Sequence, residues 1–551
     1  MSSRAVPGGQ PSVSVVVITY NDAAHVVDAV RSALAQGESV SEVIVVDDHS
    51  SDGTPAALAA FDGESRVRVI RRETNSGGCG TPRNDGIAAA TGSHVLFLDS
   101  DDLLVPGAAE GLLAAAREHG ADVTAGVCVR RELPGGRETV WAPAIYDREQ
   151  GAELPGTVVD GIADHPELLH DTLSVNKLYR RSFLTAHGLT FPDGAFHYED
   201  FVFTAGVYAA APRIAVTGIP VYIWHVRRRA ATLSISLRRA SIANWEHRVA
   251  AHAGVVEVFR KAGLDALATA ARTKFVDYDL PMYLRELPQR SAEYRAAWWT
   301  VTRAHLAEFD PAALAAARPA ARWSAAALLH APEPFGVPRL VELAAPRPRL
   351  IPPYATGPGG EPVFAAAPGD VPLDGLTGPT GPGGPAVLPP EELPVAVDGR
   401  VTIGSAVRLS ITVHELYGRL AALGPVAATL TLTERSGAAP ALSVRAPLLP
   451  GDDCWEATPA VPLDDLVPSG RLSAWAVEVR VEYADGSSTT AEVRAHAAQN
   501  ARRRVVVKRG RPFLVQAGAS PRRALVLRTA DGVEGVRRVL GGRLRRLIAR
   551  R

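Results

Sequence analysis

An α/β fold, with a mostly parallel sheet covered by helices on both faces, is what roughly the first 130 residues predict. Three observations carry that reading. Uncharged runs rich in β-branched residues recur at short intervals, and the gaps between them show one-faced helical spacing. Two of the runs also end abruptly in carboxylates, Asp47-Asp48 and Asp99-Ser100-Asp101-Asp102. Buried parallel strands read this way when they deliver polar side chains to the carboxyl edge of a sheet, where open α/β folds place ligands.

The elements follow in order. Ser12–Thr19 is a buried strand, and Ala23–Gln36 is a helix with Val26, Val27, Val30, Ala33 and Leu34 on one face. Glu42–Val46 is the second strand. Thr54–Phe61 is a short helix opened by the Asp52-Gly53 turn, and Arg66–Ile70 is the third strand. Asn75-Ser76-Gly77-Gly78 breaks the chain, and Pro82–Ala90 forms a helix with proline in its first turn. His94–Leu98 follows as the central strand, then a helix through Ala116 and a strand at Asp122–Val129. Strict alternation with short connections favours parallel pairing.

Asp99 and Asp101, at i and i+2, leave a strand on the same side and can converge on one hard cation; Mg²⁺ or Mn²⁺ is usually held by one or two carboxylates plus substrate phosphates. An exposed acidic turn would read the same way. Gly77-Gly78-Cys79-Gly80 has neither the G-x-G-x-x-G nor the G-x-x-x-x-G-K-[ST] spacing, so a dinucleotide fold and a P-loop are both unsupported.

As a set, Val15-Val16-Val17-Ile18-Thr19-Tyr20-Asn21, Val43–Thr54 with Asp47-Asp48, Asn75-Ser76-Gly77-Gly78, Pro82-Arg83-Asn84-Asp85-Gly86, Asp99-Ser100-Asp101-Asp102 and His197-Tyr198-Glu199-Asp200 resemble family 2 glycosyltransferases of the GT-A fold. The resemblance covers roughly residues 10–235. It implies attack of an acceptor hydroxyl on the anomeric carbon of a nucleotide-sugar, here a UDP-sugar, with inversion. By resemblance Asp101 ligates Mn²⁺ or Mg²⁺, and Asp99 holds the ribose or assists the ion. Asp48 accepts from the base, Thr19, Tyr20 and Asn21 flank it, and Asn75, Arg83 and Ser100 line the nucleotide or diphosphate. Asp200 is the general base and Glu199 supports the acceptor or orients Asp200. Capping of the following helix is the alternative for that acidic pair. A basic, serine-containing segment would close over the diphosphate, which places Arg227, Arg228 and Ser234 there, with His225 as an extra metal ligand. Asn176-Lys177 and Arg180-Arg181 resemble the stretch that shapes the acceptor side.

The 551 residues suggest about three or four domains. The expected layout is a catalytic domain over 1–235, an Ala-rich helical segment over 236–330 packed on it, a connector over 331–395 holding 17 of 42 prolines, and a β-sandwich-like domain over 396–500. In the last, Val407, Leu409, Ile411 and Val413 alternate with polar residues, as do Trp475, Val477, Val479 and Val481. It carries no catalytic constellation, which leaves polymer binding or self-association as its candidate roles. Zero formal charge argues against a nucleic-acid binder, although residues 501–551 hold 16 basic against 2 acidic residues. There Val533, Val536, Leu540, Leu544 and Leu547 suggest a basic amphipathic helix for an anionic membrane surface or polymer, or one docked on the sandwich.

Three scattered cysteines (Cys79, Cys128, Cys454) and the lack of any run near the roughly 18–20 apolar residues of a spanning helix fit a cytoplasmic protein with at most peripheral contact at the inner face of the cell membrane. The layout is also similar, more loosely, to the bacterial enzymes that add N-acetylglucosamine to poly(ribitol phosphate) wall teichoic acid, which implies an anionic or polysaccharide envelope acceptor. A non-catalytic polymer-binding or assembly protein is the rival from another class. A nucleotidyltransferase is disfavoured, since no lysine precedes Lys177 to serve a phosphate loop.

Overall fold

The computed structural model of the chain describes residues 12–539 apart from 211–212, 228–238, 358–361, 365–372, 374–387, 436–439, 467–471, 497–501, 509–510, 521–522 and 538. The apolar runs become Val13–Thr19 (β1), Val40–Asp47 (β2), Val67–Arg71 (β3) and His94–Asp99 (β4). They pair in parallel in the order β3-β2-β1-β4, with helices Val26–Leu34 (α1), Thr54–Leu58 (α2) and Gly80–Ala89 (α3) between them. Every residue of β1 is buried, the pattern of a strand covered on both faces.

The sheet then turns mixed. After Leu103–Leu104 (β5) and Ala108–His119 (α4) come Val123–Glu132 (β6), Arg137–Val140 (β7), Pro143–Tyr146 (α5), Thr157–Val159 (β8), Lys177–Arg180 (β9), Arg181–Ala186 (α6), Glu199–Ala210 (α7) and Ile214–Val226 (β10). The order continues β4-β9-β6-β10-β5, with β7 beside β6 and β8 beside β10. β9 runs antiparallel to both β4 and β6, while β10 runs parallel to β6. The expected parallel sheet thus holds for its first half, and the second half inserts antiparallel strands.

Two compact units divide the chain at Phe275/Val276. The first unit thus runs past the boundary expected near 235 into the segment expected to pack on the catalytic domain. Helices Ile242–Lys261 (α8) and Asp265–Lys274 (α9) supply Val256, Phe259, Leu267, Ala268 and Ala271 to the same core that begins at Val13. These helices thus pack on the catalytic core, as expected of the Ala-rich helical segment.

In the second unit, helices between Leu280 and Leu343 bury Trp298, Trp299 and Trp323. Helix Val337–Leu343 and the short pair Ala355–Thr356 with Pro362–Val363 stand inside the expected connector. Two sheets of six and seven strands follow. Val407, Leu409, Ile411 and Val413 point inward on one, and Trp475, Val477, Val479 and Val481 on the other, as their alternation predicts. The seven-stranded sheet also takes in Arg502–Lys508, Arg511–Ala519 and Leu525–Asp531. The described part of the stretch expected as a basic tail is thus largely strand, with the apolar runs Phe513–Val515 and Leu525–Leu527 buried. Val536 is buried and Val533 is exposed; Leu540, Leu544 and Leu547 lie outside the described residues. Among the described residues no helix is long and apolar enough to cross a membrane.

Candidate active site at the carboxyl edge of the sheet

Parallel register places the strand ends together. Thr19 pairs with Asp47 and Ile18 with Asp99, so the residues after β1, β2 and β4 emerge at one edge. Tyr20 is 52% exposed there, while Thr19 Oγ1 is buried and makes no hydrogen bond. Asn21, at φ +50°, ties the loops after β1 and β2: its Oδ1 accepts from the N–H groups of Ser51 (2.7 Å) and Asp52 (3.2 Å). Asp48 is buried. Its carboxylate accepts from Asn75 Nδ2 at 2.9 Å and Ser76 Oγ at 2.8 Å and pairs with Arg72 Nε at 2.9 Å. Asp48 and Asn75 are therefore brought together, and Asp48 fixes the turn that precedes α3.

The acidic turn after β4 is fastened from three sides. Ser100 Oγ donates to Asp22 Oδ2 at 2.8 Å. Asp102, which sequence reasoning left without a role, is buried and accepts from Tyr222 Oη (2.8 Å) and the His225 N–H (2.7 Å); burial pushes its pKa well above the usual carboxylate range. Asp102 thereby carries the end of β10 to Asp101. Arg227 Nη1 pairs with Asp101 Oδ2 at 2.9 Å, and His225 Nδ1 lies 3.1 Å from the Asp101 carbonyl. Burial and the neighbouring Asp99 charge raise Asp101 to about 6, with Arg227 opposing. Burial lowers His225, which favours its neutral form. Among the described residues no three His, Cys, Asp or Glu side chains gather as a metal-ligand cluster. Arg228 and Ser234 lie outside the described residues.

The opposite wall is the start of α7. Arg83, on α3, is 3% exposed and lies 5.2 Å from the Phe191 ring centroid. Its Nη1 donates to Glu199 Oε1 (2.6 Å) and Asp200 Oδ1 (2.9 Å), and its Nη2 to Asp99 Oδ1 (2.7 Å). Where a nucleotide contact is expected, this guanidinium is an interior cation whose terminal nitrogens are taken by three carboxylates. It also joins the two carboxylate groups of the site. Glu199 is pushed up to about 7 by burial, with Arg83 pulling it down and Asp200 adding to the rise. Ser174, for which no motif gave a signal, donates from Oγ to Asp200 Oδ1 at 2.9 Å.

The stretch expected on the acceptor side is held within the fold. Asn176 and Lys177 are fully buried. Arg180 pairs in register with His94, the first residue of β4, and so lies at the strand end opposite Asp99. It donates to the carbonyls of Gly120 and Ala121, and Arg181 donates to that of Gly92.

A mixed sheet whose edge carries Asp48, Asp99 and Asp101, faced by an acidic helix start, is a GT-A-like architecture. The comparisons agree. Residues 14–185 match the model of glycosyl transferase family 2, and this part of the chain is a domain of that family. The succinoglycan biosynthesis protein ExoO of Rhizobium meliloti (strain 1021) is 34% identical over 217 residues, 39% of this chain and 61% of that protein. The poly(ribitol-phosphate) beta-N-acetylglucosaminyltransferase TarS of Staphylococcus aureus (strain Mu50 / ATCC 700699) is 31% identical over 223 residues, 40% of this chain and 36% of that protein. The matches thus span less than two thirds of either relative. The crystal structure of S. aureus TarS shares the fold at TM-score 0.52 and 18% identity, covering 94% of this chain and 85% of that one.

Proposed function

We propose that the chain is an inverting, metal-dependent glycosyltransferase that moves a sugar from a UDP-sugar to a hydroxyl of a cell-envelope polymer, a teichoic acid or related polysaccharide. One observation carries this reading: Arg83 bonds Asp99 on the donor side and Asp200 on the acceptor side, so both working carboxylate groups meet at one edge. The exposed ring of Tyr20 gives the base a surface, and Asp48, oriented by Ser76 and Arg72, accepts from it. Asp200 takes the acceptor proton as the new bond forms, and a single displacement through one base inverts the anomeric centre. Glu199, raised toward neutrality, supports the acceptor.

Asp99 and Asp101 suit Mn²⁺ or Mg²⁺. Burial and the Asp99 charge outweigh Arg227 at Asp101, so a further cation would be favoured there, and such ions need only one or two carboxylates when a diphosphate supplies the rest. When bound, the ion would neutralise charge on the leaving diphosphate. Arg227, now paired with Asp101, stands where a diphosphate oxygen could take it over. The names of the two relatives, for succinoglycan biosynthesis and for transfer to poly(ribitol-phosphate), support a polymer acceptor.

The test is donor hydrolysis by the purified protein with Mn²⁺ over a panel of UDP-sugars, beside Asp101→Ala and Asp200→Asn. Turnover of one donor, lost in both variants, is expected. Failure to bind or turn over any donor would overturn the reading and favour a polymer-binding protein.

A further inference from the structure

Behind the start of α7 lies a polar cluster that the reaction as read above does not use. Asp171 and Lys177 have fully buried side chains, 2.7 Å apart. Removing two charges from water is costly unless their remaining valences are filled. Here most of those valences are spent within one short segment, while Asp171 Oδ1 stays buried without a hydrogen bond. Lys177 Nζ donates to Asp171 Oδ2 (2.7 Å), to the Leu173 carbonyl (2.6 Å) and to Asn176 Oδ1 (3.0 Å). Asp171 Oδ2 also accepts from Tyr146 Oη (2.5 Å) and Asn176 Nδ2 (3.0 Å). Tyr208 Oη holds the Asp171 carbonyl and Tyr179 Oη the Ser174 carbonyl.

Ser174 is the residue of this segment that reaches the site. It is fully buried, and it donates from Oγ to Asp200 Oδ1 (2.9 Å) and from its N–H to Asp200 Oδ2 (3.3 Å). Both oxygens of Asp200 are thus held by a residue whose neighbours on either side are pinned to a buried ion pair. Arg83 meets Asp200 from the other side.

We propose that Asp171 and Lys177 are positioning residues of the transfer reaction, fixing segment 171–176 so that Ser174 orients the Asp200 carboxylate toward the acceptor. This rests on Asp200 being the base. The pair touches neither donor carboxylates nor metal side, so its loss should act on turnover and spare nucleotide binding.

The experiment measures kcat and KM with the donor selected by the panel, UDP affinity by calorimetry, and the thermal midpoint, for the full-length chain. The variants are Ser174→Ala, the double Asp171→Asn/Lys177→Met and Asp200→Asn. Ser174→Ala should lower kcat about tenfold, with UDP affinity and donor KM within about twofold of wild type. The double variant leaves no unpaired buried charge, so it should keep a near-wild-type midpoint, yet show the same fall in kcat. A merely structural pair would instead let kcat recover with stability, and that result, or a wild-type kcat in Ser174→Ala, overturns the proposal. If Asp200→Asn is inactive while Ser174→Ala is not, this inference alone fails. If Asp200→Asn turns over normally, the base assignment fails and this inference with it.

Discussion

Arg83 places one guanidinium among Asp99, Glu199 and Asp200, a set that would otherwise crowd negative charge in a space with little water. Removing one partner of a buried ionic set costs about 3–5 kcal/mol, because the others remain buried and unpaired. Arg83→Met should therefore lower unfolding stability by about that amount in urea titration, and Arg83→Lys, which keeps the charge but not the fork, should lose less. In both, misplacement of Asp200 should cut turnover about a hundredfold. Asp101 makes a separate prediction. Its folded pKa, about 6, stands above its ordinary 3.8, so the fold favours the neutral acid. The stability this contributes is complete below about pH 4 and is lost as pH rises through about 6. A divalent cation must displace that proton, so UDP–Mn²⁺ affinity should climb as pH rises toward and past 6 and flatten above it. Asp22, Asp99, His25 and Arg227 all act on this carboxyl. Asp101→Asn should remove the pH dependence of binding, and an unchanged profile would rule out Asp101 as its source. At this scale, acidic residues ending a strand were readable because charge after an apolar run has few other uses. Asp102 and Ser174 were not, since their partners lie 120 and 26 residues away.

Helix α3 explains the glycines that looked like a phosphate loop and were not. A Cβ on Gly80 would lie 2.0 Å from the Pro192 carbonyl oxygen, and one on Gly78 would lie 2.3 Å from that of Gly194. The clash is with backbone on the segment leading into α7, so no side chain can turn aside. These glycines let α3 lie against that segment, and this close approach brings Arg83 to Glu199 and Asp200. Tyr198, at φ +68° just before α7, reaches back to Asn244 on α8 through its hydroxyl, which fixes the far side of the same segment. Gly80→Ala should cost about 1–3 kcal/mol, the usual price of overpacking. Turnover should fall more than nucleotide binding, because the shift opens the Arg83–Asp200 contact and leaves the ends of β1, β2 and β4 in place. Equal loss of both would mean that α3 moves with the sheet. The glycine spacing ruled out a P-loop, but a single sequence does not say which backbone a glycine must admit.

For the whole chain, the first strands and the acidic edge were legible because parallel β-strands carry continuous apolar runs that few other elements imitate. Domain limits were not, because Pro- and Gly-rich composition marks where regular structure thins and not where a core closes. The core that starts at Val13 runs through Ala271, and α8 and α9 contribute Val256, Phe259, Leu267, Ala268 and Ala271 to it. Each larger apolar side chain among these is worth about 1.5–3 kcal/mol when buried. Losing the five together removes a large share of a total stability of about 5–15 kcal/mol. A chain cut at 235, the boundary that motif positions suggest, should therefore aggregate or melt without a cooperative transition. Cut at 275, where the first compact unit ends, it should unfold cooperatively and bind UDP with Mn²⁺ within about twofold of the full-length affinity, since every described residue of the candidate site lies inside it. Circular dichroism melts and calorimetry on the two fragments decide this. If 1–275 folds but binds no UDP, the nucleotide site needs residues of the second unit. If 1–235 folds and binds as well as 1–275, α8 and α9 are a cover on the catalytic core and no part of it.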